Sequence, residues 1–436
     1  MIDKMRGKVD KGEVFYVEST SRSVEFKGWK IRGSESSRER GIGIRVIVNG
    51  KIGTAATTDI SPDALQKMLD NAISAAKFGE ELELDFPGIS KFKIPEIYDD
   101  KIENLNITKL ADTGKELMSH LEKHRKDCDI DISINMAVSN IKLVNTEGFV
   151  GEFKKSNYGI YGGLVRVQEG DIYFAGESYN STHVPKESNE AISVIIAKIE
   201  DIMQYADIIC PAPPSGKVPV IFTPNGSYIL FASLFQGING TNIYTKTSPI
   251  YGKIGEKLFD EKLTIIDDGT MNHRPGSFPF DAEGLPKKKF SIIENGILKS
   301  FLFDLTTAKK AGTKSNGCAN RSIFSPPSPS ISNIMVSPGS ISLNEMMADI
   351  RQGIVAESAL GVGQGNIISG AFSNPLPTAF KIENGKIVGR VKNAAIAGNI
   401  YENLKDIAGI SSDAKWFYGR YYVPYIRLDN VSVIGK

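Results

Sequence analysis

The sequence predicts an α+β fold in two parts. Three observations carry this: apolar runs of period two closed by Asn-Gly turns, separate stripes of helical period with caps, and a hairpin-plus-helix pattern that returns 120 residues later. The expected arrangement is a duplicated N-terminal domain over residues 1–210, with a curved antiparallel sheet and helices. A β-rich C-terminal domain over residues 211–436 follows. Length agrees, because 436 residues exceed the roughly 250–300 at which one hydrophobic core stops growing.

Residues 14–24 alternate well enough for a strand. Gly41-Ile42-Gly43-Ile44-Arg45-Val46-Ile47-Val48 then runs into Asn49-Gly50, whose positive φ angles suit a type I′ turn, so 51–57 should return antiparallel. At Ser61 the period changes. Ser61 is an N-cap, Pro62 suits the first helical position, and Ile60 with Leu65 supplies a hydrophobic staple. Leu65, Met68, Leu69, Ala72, Ile73 and Ala76 form one buried stripe, ending near Phe78 and Gly79. A second helix is predicted over 108–123. Gly163-Leu164-Val165-Arg166-Val167 with Glu169-Gly170-Asp171-Ile172 then repeats the first hairpin, and a helix over 188–205 follows it, as in the first copy.

Cys210-Pro211-Ala212-Pro213-Pro214-Ser215-Gly216 reads as the linker between the domains. Beyond it come a strand at 217–222, an apolar helix at 225–237, and Asn-Gly hairpins at Asn295-Gly296 and Asn384-Gly385. Between these hairpins, 325–330 is a loop. Ser342-Leu343-Asn344-Glu345 is a capping box opening a helix that Gly353 should end.

Composition narrows the function. With 52 Lys+Arg against 51 Asp+Glu, the chain lacks the basic excess of a nucleic-acid binder. The charged N-terminus has no apolar stretch of a secretory signal, and no apolar run reaches the roughly 18–20 residues that span a bilayer. Cys128, Cys210 and Cys318 form no CxxC pair, which fits a reducing compartment and excludes a cysteine-only zinc site. A cytoplasmic protein is expected.

The residues by themselves assemble no complete catalytic constellation. His120 and His124 stand four apart, but Glu122 is not placed as in HExxH, so they read as a solvated helix face. His183 and His273 read as polar loop residues. Asp267-Asp268-Gly269 and Asp281-Ala282-Glu283-Gly284 could collect a cation but read foremost as turn chemistry. Gly361-Val362-Gly363-Gln364-Gly365 lacks the strand-then-helix setting of a dinucleotide loop.

The ordered set of Leu263 to Met271, Asp281-Ala282-Glu283-Gly284, Ile293 to Lys299, Asn316-Gly317 and Ala397-Gly398-Asn399-Ile400 resembles the TldD/PmbA family. The Gly-Ile-Gly-Ile-Arg hairpin agrees. The family was named for a proposed modulation of DNA gyrase and is understood as metallopeptidases acting on peptides and unfolded proteins. Its TldD type carries His-Glu-x-x-x-His on a helix, followed by a Gly-apolar-x-Gly turn, with a Cys ligand near the C-terminus.

Aligned on Gly237-Ile238-Asn239-Gly240, the two His positions become Phe231 and Gln236, and the Glu position becomes Ala232. The Cys position falls near Trp416. The resemblance therefore implies a PmbA/TldE-type chain with no catalytic, cofactor-binding or metal-binding residue of its own. Zinc is expected in a TldD-like partner, with a homodimer as the other assembly, and peptides or unfolded proteins as substrates. The alternatives are a self-sufficient hydrolase using His273 with Asp267 or Asp268, and a gyrase-associated regulator, against which the neutral charge argues.

Overall fold

A computed structural model of the chain describes residues 1–168, 171–185 and 189–435. Glu169, Gly170 and Ser188, which the repeat and the third long helix were expected to include, lie outside the described residues.

After a short helix α1 (Ile2–Met5), three strands follow: β1 (Lys11–Lys27), β2 (Lys30–Val48) and β3 (Lys51–Thr57). Asn49 and Gly50 take φ of 51° and 73°, as a type I′ turn requires. Helix α2 (Pro62–Ala76) begins at Ser61, whose hydroxyl accepts from Ala64 N, and buries Met68, Leu69, Ala72 and Ala76. The short α3 (Asp100–Glu103) and α4 (Ile107–Leu121) lead into β4 (Asp129–Asn145), β5 (Val150–Gln168) and β6 (Asp171–Ser181), followed by α5 (Glu190–Met203).

The six strands form one antiparallel sheet in the order β3-β2-β1-β4-β5-β6. The two three-stranded units thus meet back to back at β1 and β4. Gly43 pairs with Ala56, and Gly163 pairs with Gly176, so both partners move by the same 120 residues. The internal repeat is a repeat of register.

The chain enters the second sheet at β7 (Ile209–Cys210), and β8 (Gly216–Phe222) follows, so the proline-rich segment joins two strands of one sheet. Next come α6 (Tyr228–Gly237), α7 (Gly240–Tyr244), β9 (Ile265–Asp268), β10 (Lys289–Glu294), β11 (Ile297–Leu298) and α8 (Leu305–Lys310). β12 (Ala319–Asn320) pairs only with β13 (Ser328–Pro329). The remaining elements are β14 (Ile334–Val336), α9 (Leu343–Met347), β15 (Gln352–Ser358), β16 (Ala371–Leu376), β17 (Thr378–Glu383), β18 (Lys386–Val391), β19 (Ala394–Asn399), α10 (Ile400–Asn403), β20 (Gly409–Phe417) and β21 (Tyr421–Ile434).

Strand β21 organises this thirteen-stranded, mostly antiparallel sheet, pairing with β8, β14, β19 and β20. The architecture is α+β, as expected. One boundary differs: the capping box at Ser342 and Glu345 forms, but α9 stops at Met347 and Gly353 lies inside β15. Gly353 has no room for a side chain there, since a Cβ would stand 2.7 Å from the Pro219 carbonyl oxygen. Among the described residues no helix is long and apolar enough to cross a membrane.

The two sheets share a core. Ile192, Ile195 and Ile199 of α5 belong to one buried cluster with Ile221, Val355, Phe380 and Tyr425 of the second sheet. Burial of this kind stabilises by roughly 25 cal/mol per Å² of apolar surface, so the halves are held together by hydrophobic contact.

Candidate functional site

Helix α6 occupies the place where the resemblance puts a metal-binding helix. It opens on a tight turn in which Thr223 Oγ1 accepts from Gly226 N at 3.0 Å and Ser227 Oγ donates to the Pro224 carbonyl at 2.6 Å. Phe231 is fully buried. Its ring stacks on Phe235 at 6.1 Å, Phe235 stacks on Tyr421 at 5.9 Å, and Tyr421 stacks on Phe417 at 4.8 Å. Tyr228 closes the group edge-on against Phe417 and Tyr421. Ala232 is buried and Gln236 is exposed. Trp416 carries the Arg274 guanidinium 3.7 Å over its ring.

Zinc requires lone pairs from nitrogen, sulfur or carboxylate oxygen converging at about 2.0–2.3 Å. A stacked benzyl ring, a methyl group and an indole under a cation supply none, and the Gln236 amide faces solvent. These residues do not fit the metal. Among the described residues no three His, Cys, Asp or Glu side chains cluster closely enough to hold one.

The histidines divide differently from the sequence reading. His120 is exposed, whereas His124 Nε2 lies 3.0 Å from Glu200 Oε1 and is half-buried, so it is paired and not part of a freely solvated face. His183 and His273, far apart in sequence, meet edge to face with ring centroids 4.0 Å apart. His273 Nε2 stands 3.2 Å from Glu96 Oε2, and its carbonyl accepts from Thr182 N. Burial, then the neighbouring His273, pushes the His183 pKa down. Among the described residues no hydrogen bond or ion pair joins His273 to Asp267 or Asp268, the partners the self-sufficient hydrolase would need.

The acidic motifs are occupied by the fold. Asp268 Oδ1 accepts from Thr270 N and Oγ1, closing a turn. Asp281 Oδ1 accepts from Glu283 N and Leu285 N, each at 2.9 Å, and Oδ2 accepts from Ala319 N at 3.0 Å. Both Asp267 oxygens take the Ser332 N–H at 3.0 Å. Burial pushes the Asp267 carboxyl up to about 6, against the pull of Lys287 and that hydrogen bond. The three Gly361, Gly363 and Gly365 φ angles are positive and belong to a loop followed only by a single 3-10 turn, Ile367–Ser369, not by the long helix of a dinucleotide site.

Sequence reasoning missed a charge cluster that ties the first sheet to loops of the C-terminal half. Arg45, the last residue of Gly-Ile-Gly-Ile-Arg, is buried with Nε 3.0 Å from Glu13 Oε1 and Nη2 2.8 Å from Glu283 Oε1. Arg321 pairs with Glu13 from the other side. These contacts are close but poorly angled, since Arg45 Nε and Nη2 and Glu283 Oε1 make no aligned hydrogen bond, so the attraction is Coulombic. Burial would raise the Glu13 carboxyl, yet Arg321 and Arg45 together hold it below its ordinary value. Glu283 is raised instead, by burial with Asp281, Asp304 and Glu13 nearby, which Arg45 only partly offsets. The signal was present as an arginine among β-branched residues facing a core, and as a glutamate in a glycine turn. Neither shows its partner in sequence.

Beside this cluster lies a half-open cavity of about 900 Å³, lined by Phe15, Val17, Ile141 and Phe153 of the first sheet and by Phe278, Phe280 and the 318–324 segment of the C-terminal half. Lys155, behind it, donates to the Pro275 and Ser277 carbonyls and stands 3.4 Å over the Phe278 ring. Burial and then Arg420 and Lys287 push its pKa well down.

The arrangement has known relatives. Residues 215–435 match the PmbA/TldA metallopeptidase C-terminal domain, and residues 12–76 match PmbA/TldA metallopeptidase domain 1. A metalloprotease of Methanothermobacter thermautotrophicus is 28% identical over 415 residues, covering 91% of this chain and 86% of that one. Metalloprotease PmbA of Escherichia coli O157:H7 is 24% identical over 424 residues, covering 93% and 88%. The crystal structure of TldE from Thermococcus kodakarensis has the same fold, with a TM-score of 0.88 at 23% identity, covering 100% of this chain and 99% of that one. A protein of Thermotoga maritima described as a proposed modulator of a DNA gyrase superposes with a TM-score of 0.87 at 22% identity, covering 97% and 96%. With its C-terminal half and its first strands and helix both matched, the chain belongs to the PmbA/TldD family of metallopeptidases.

Proposed function

We propose that this chain is a TldE-type subunit of a cytoplasmic metallopeptidase system. It holds no zinc and assembles with a TldD-like chain whose zinc cleaves peptides and unfolded proteins. The observation that carries the reading is Phe231: the first metal-ligand position is a fully buried ring inside an aromatic stack. Restoring a ligand there would require dismantling the stack. Ala232 at the general-base position cannot move a proton. The chain's contribution is then structural, as one wall of a two-chain enclosure that admits extended substrates and shuts out folded proteins.

Related chains associate about two-fold or pseudo-two-fold axes, and an obligate pairing buries on the order of 2,000 Å² or more. Mixing this chain with the TldD-like chain of the same host is expected to give a complex stable to size-exclusion chromatography. Its peptidase activity should be metal-dependent and abolished when the partner's first zinc-binding histidine is replaced. Elemental analysis of this chain alone should find no tightly held zinc. One zinc per chain resistant to mild chelation, or full activity of the partner with no complex at micromolar concentration, would overturn the proposal.

A further inference from the structure

The 900 Å³ cavity and an open strand edge meet. β2 pairs with β1 along nearly its whole length, but with β3 only over Ile42–Val48. From Lys30 to Gly41 its outer side has no partner strand among the described residues, and every residue from Lys30 to Arg40 except Ser37 is exposed. The corresponding edge of the second repeat is covered. There β5 extends past β6, and Ser156 N donates to the Ile97 carbonyl at 3.0 Å while Asp99 N donates to Ser156 Oγ at 2.9 Å. Among the described residues the first repeat has no such cover.

The open edge runs into the cavity. Arg38, Glu39, Arg40 and Gly41 line it, as does Thr58, just past the end of β3. One row of the sheet forms its floor: Gly41 lies opposite Val17, Val17 opposite Ile141, and Ile141 opposite Phe153. A strand laid beside β2 beyond Thr58 would continue the lane of β3 and turn the side chains opposite Ser37 and Glu39 over the cavity.

The two faces of this edge differ in charge: by the alternation of the strand, Glu39 shares the cavity face with Gly41 and Val17, whereas Arg38 and Arg40 share the other face with Glu18. Arg38 and Arg321 are paired with Glu18 and Glu13. Lys287 Nζ donates to the Gly317 carbonyl, the Arg420 guanidinium donates to the Ile331 and Ser332 carbonyls, and neither these two nor Arg40 forms an ion pair among the described residues. Of the two lining carboxylates, Asp281 already holds three backbone N–H groups.

We propose that this chain binds an extended acidic peptide by strand addition: the peptide backbone pairs with the open edge of β2 near Ser36–Arg40, its alternate apolar side chains enter the cavity, and its carboxylates, on the opposite face of the sheet, meet Arg38 and Arg40. The inference rests on the peptide-handling reading above and deepens it. It places peptide recognition on this subunit, at a site sharing no residue with α6 or Trp416.

The test titrates the isolated full chain, without a partner, against a fluorescent peptide alternating leucine with glutamate. Three probes accompany it: the lysine-for-glutamate counterpart, the acidic peptide N-methylated at alternate residues, and laurate. Saturable binding of the acidic peptide is expected, with the lysine and N-methylated peptides at least about tenfold weaker. Arg40→Glu at the exposed rim and Ser19→Trp in the cavity should each weaken binding about tenfold, while Lys67→Glu, the same charge change on α2, should leave it within about twofold. Arg40 is exposed, so its variant should fold and keep the test decisive even if Ser19→Trp does not. Equal binding of the N-methylated or lysine peptide, displacement of the peptide by laurate, or no effect of Arg40→Glu would overturn the inference. If the chain supports partner-dependent peptidase activity but fails to bind the peptide, this inference alone falls. If it binds the peptide but forms no complex, the subunit reading falls instead.

Discussion

Asp267 and Phe231 show how single residues are committed to the fold where a peptidase would use such positions for chemistry. Asp267 is fully buried, and its carboxyl is pushed up to about 6. The folded protein therefore holds that proton more tightly than the unfolded chain, whose aspartate titrates near 3.9. The stability that Asp267 contributes is complete below about pH 4 and is lost as pH rises through about 6. Asp267→Asn should flatten the dependence across that window by up to about 2–3 kcal/mol, measured as urea midpoints from pH 4 to 7. A variant whose pH profile matches the parent would contradict this. At α6 the contrast is steric. Phe231→Ala should cost about 3–5 kcal/mol, because it opens a cavity in the aromatic stack, while Gln236→Ala should change stability by less than about 0.5 kcal/mol. Equal effects of the two would mean that α6 is not packed as described.

At the scale of the element, β2 explains its own glycines. Gly41 and Gly43 have no positive φ; what they supply is space. A Cβ on Gly41 would stand 2.2 Å from Ile323 Cδ1, and one on Gly43 would stand 2.5 Å from the Ile323 carbonyl oxygen. The loop between β12 and β13 lies directly on the strand, and Arg45 reaches Glu283 a few residues further on. Two cases therefore differ in kind. Gly41→Ala meets a side chain, so it should cost about 1–3 kcal/mol and be largely relieved by Ile323→Ala. Gly43→Ala meets backbone, so the same second substitution should not relieve it. Thermal or urea unfolding of the two double-mutant cycles checks the difference. The hairpin turns need no such context, since Asn49-Gly50, Asn295-Gly296 and Asn384-Gly385 all adopt paired positive φ angles.

For the whole molecule, the shared cluster joining α5 to Ile221, Val355 and Tyr425 means that neither sheet completes its own core. A fragment of residues 1–210 would expose the apolar face of α5 that those residues cover. Such a fragment is expected to bind a hydrophobic dye and to lack a cooperative thermal transition, although it contains both copies of the repeat. A fragment that melts cooperatively near the temperature of the full chain would establish an independent domain and contradict the shared core. The duplication itself gives near-symmetry in strand order but not in surface. One edge of the repeat is covered by the segment around Ile97, and the other is open beside the cavity.

What the sequence determined by itself is local. Turns with Asn-Gly, helices with Ser61 and Ser342 caps, the period of apolar stripes and the 120-residue repeat depend on neighbours within a few residues, or on comparing one stretch with another. The side chains at Phe231, Ala232 and Gln236, set against the metal motif, were legible for a different reason: that expectation required only aligning a motif and reading side-chain chemistry. The Gly353 boundary was misread because a glycine after a capped helix resembles a stop signal, whereas here it lies in a strand packed against Pro219. Tertiary structure alone decided which charges meet. Arg45 and Glu283 are 238 positions apart, as are no turn or helix partners; the His183–His273 contact and the cavity arise between the two halves of the chain, and the aromatic stack joins α6 to β20 and β21, far along the sequence. Local propensity acts over a few bonds, whereas burial and Coulombic pairing act through space, so these pairings appear only once the two sheets close on each other.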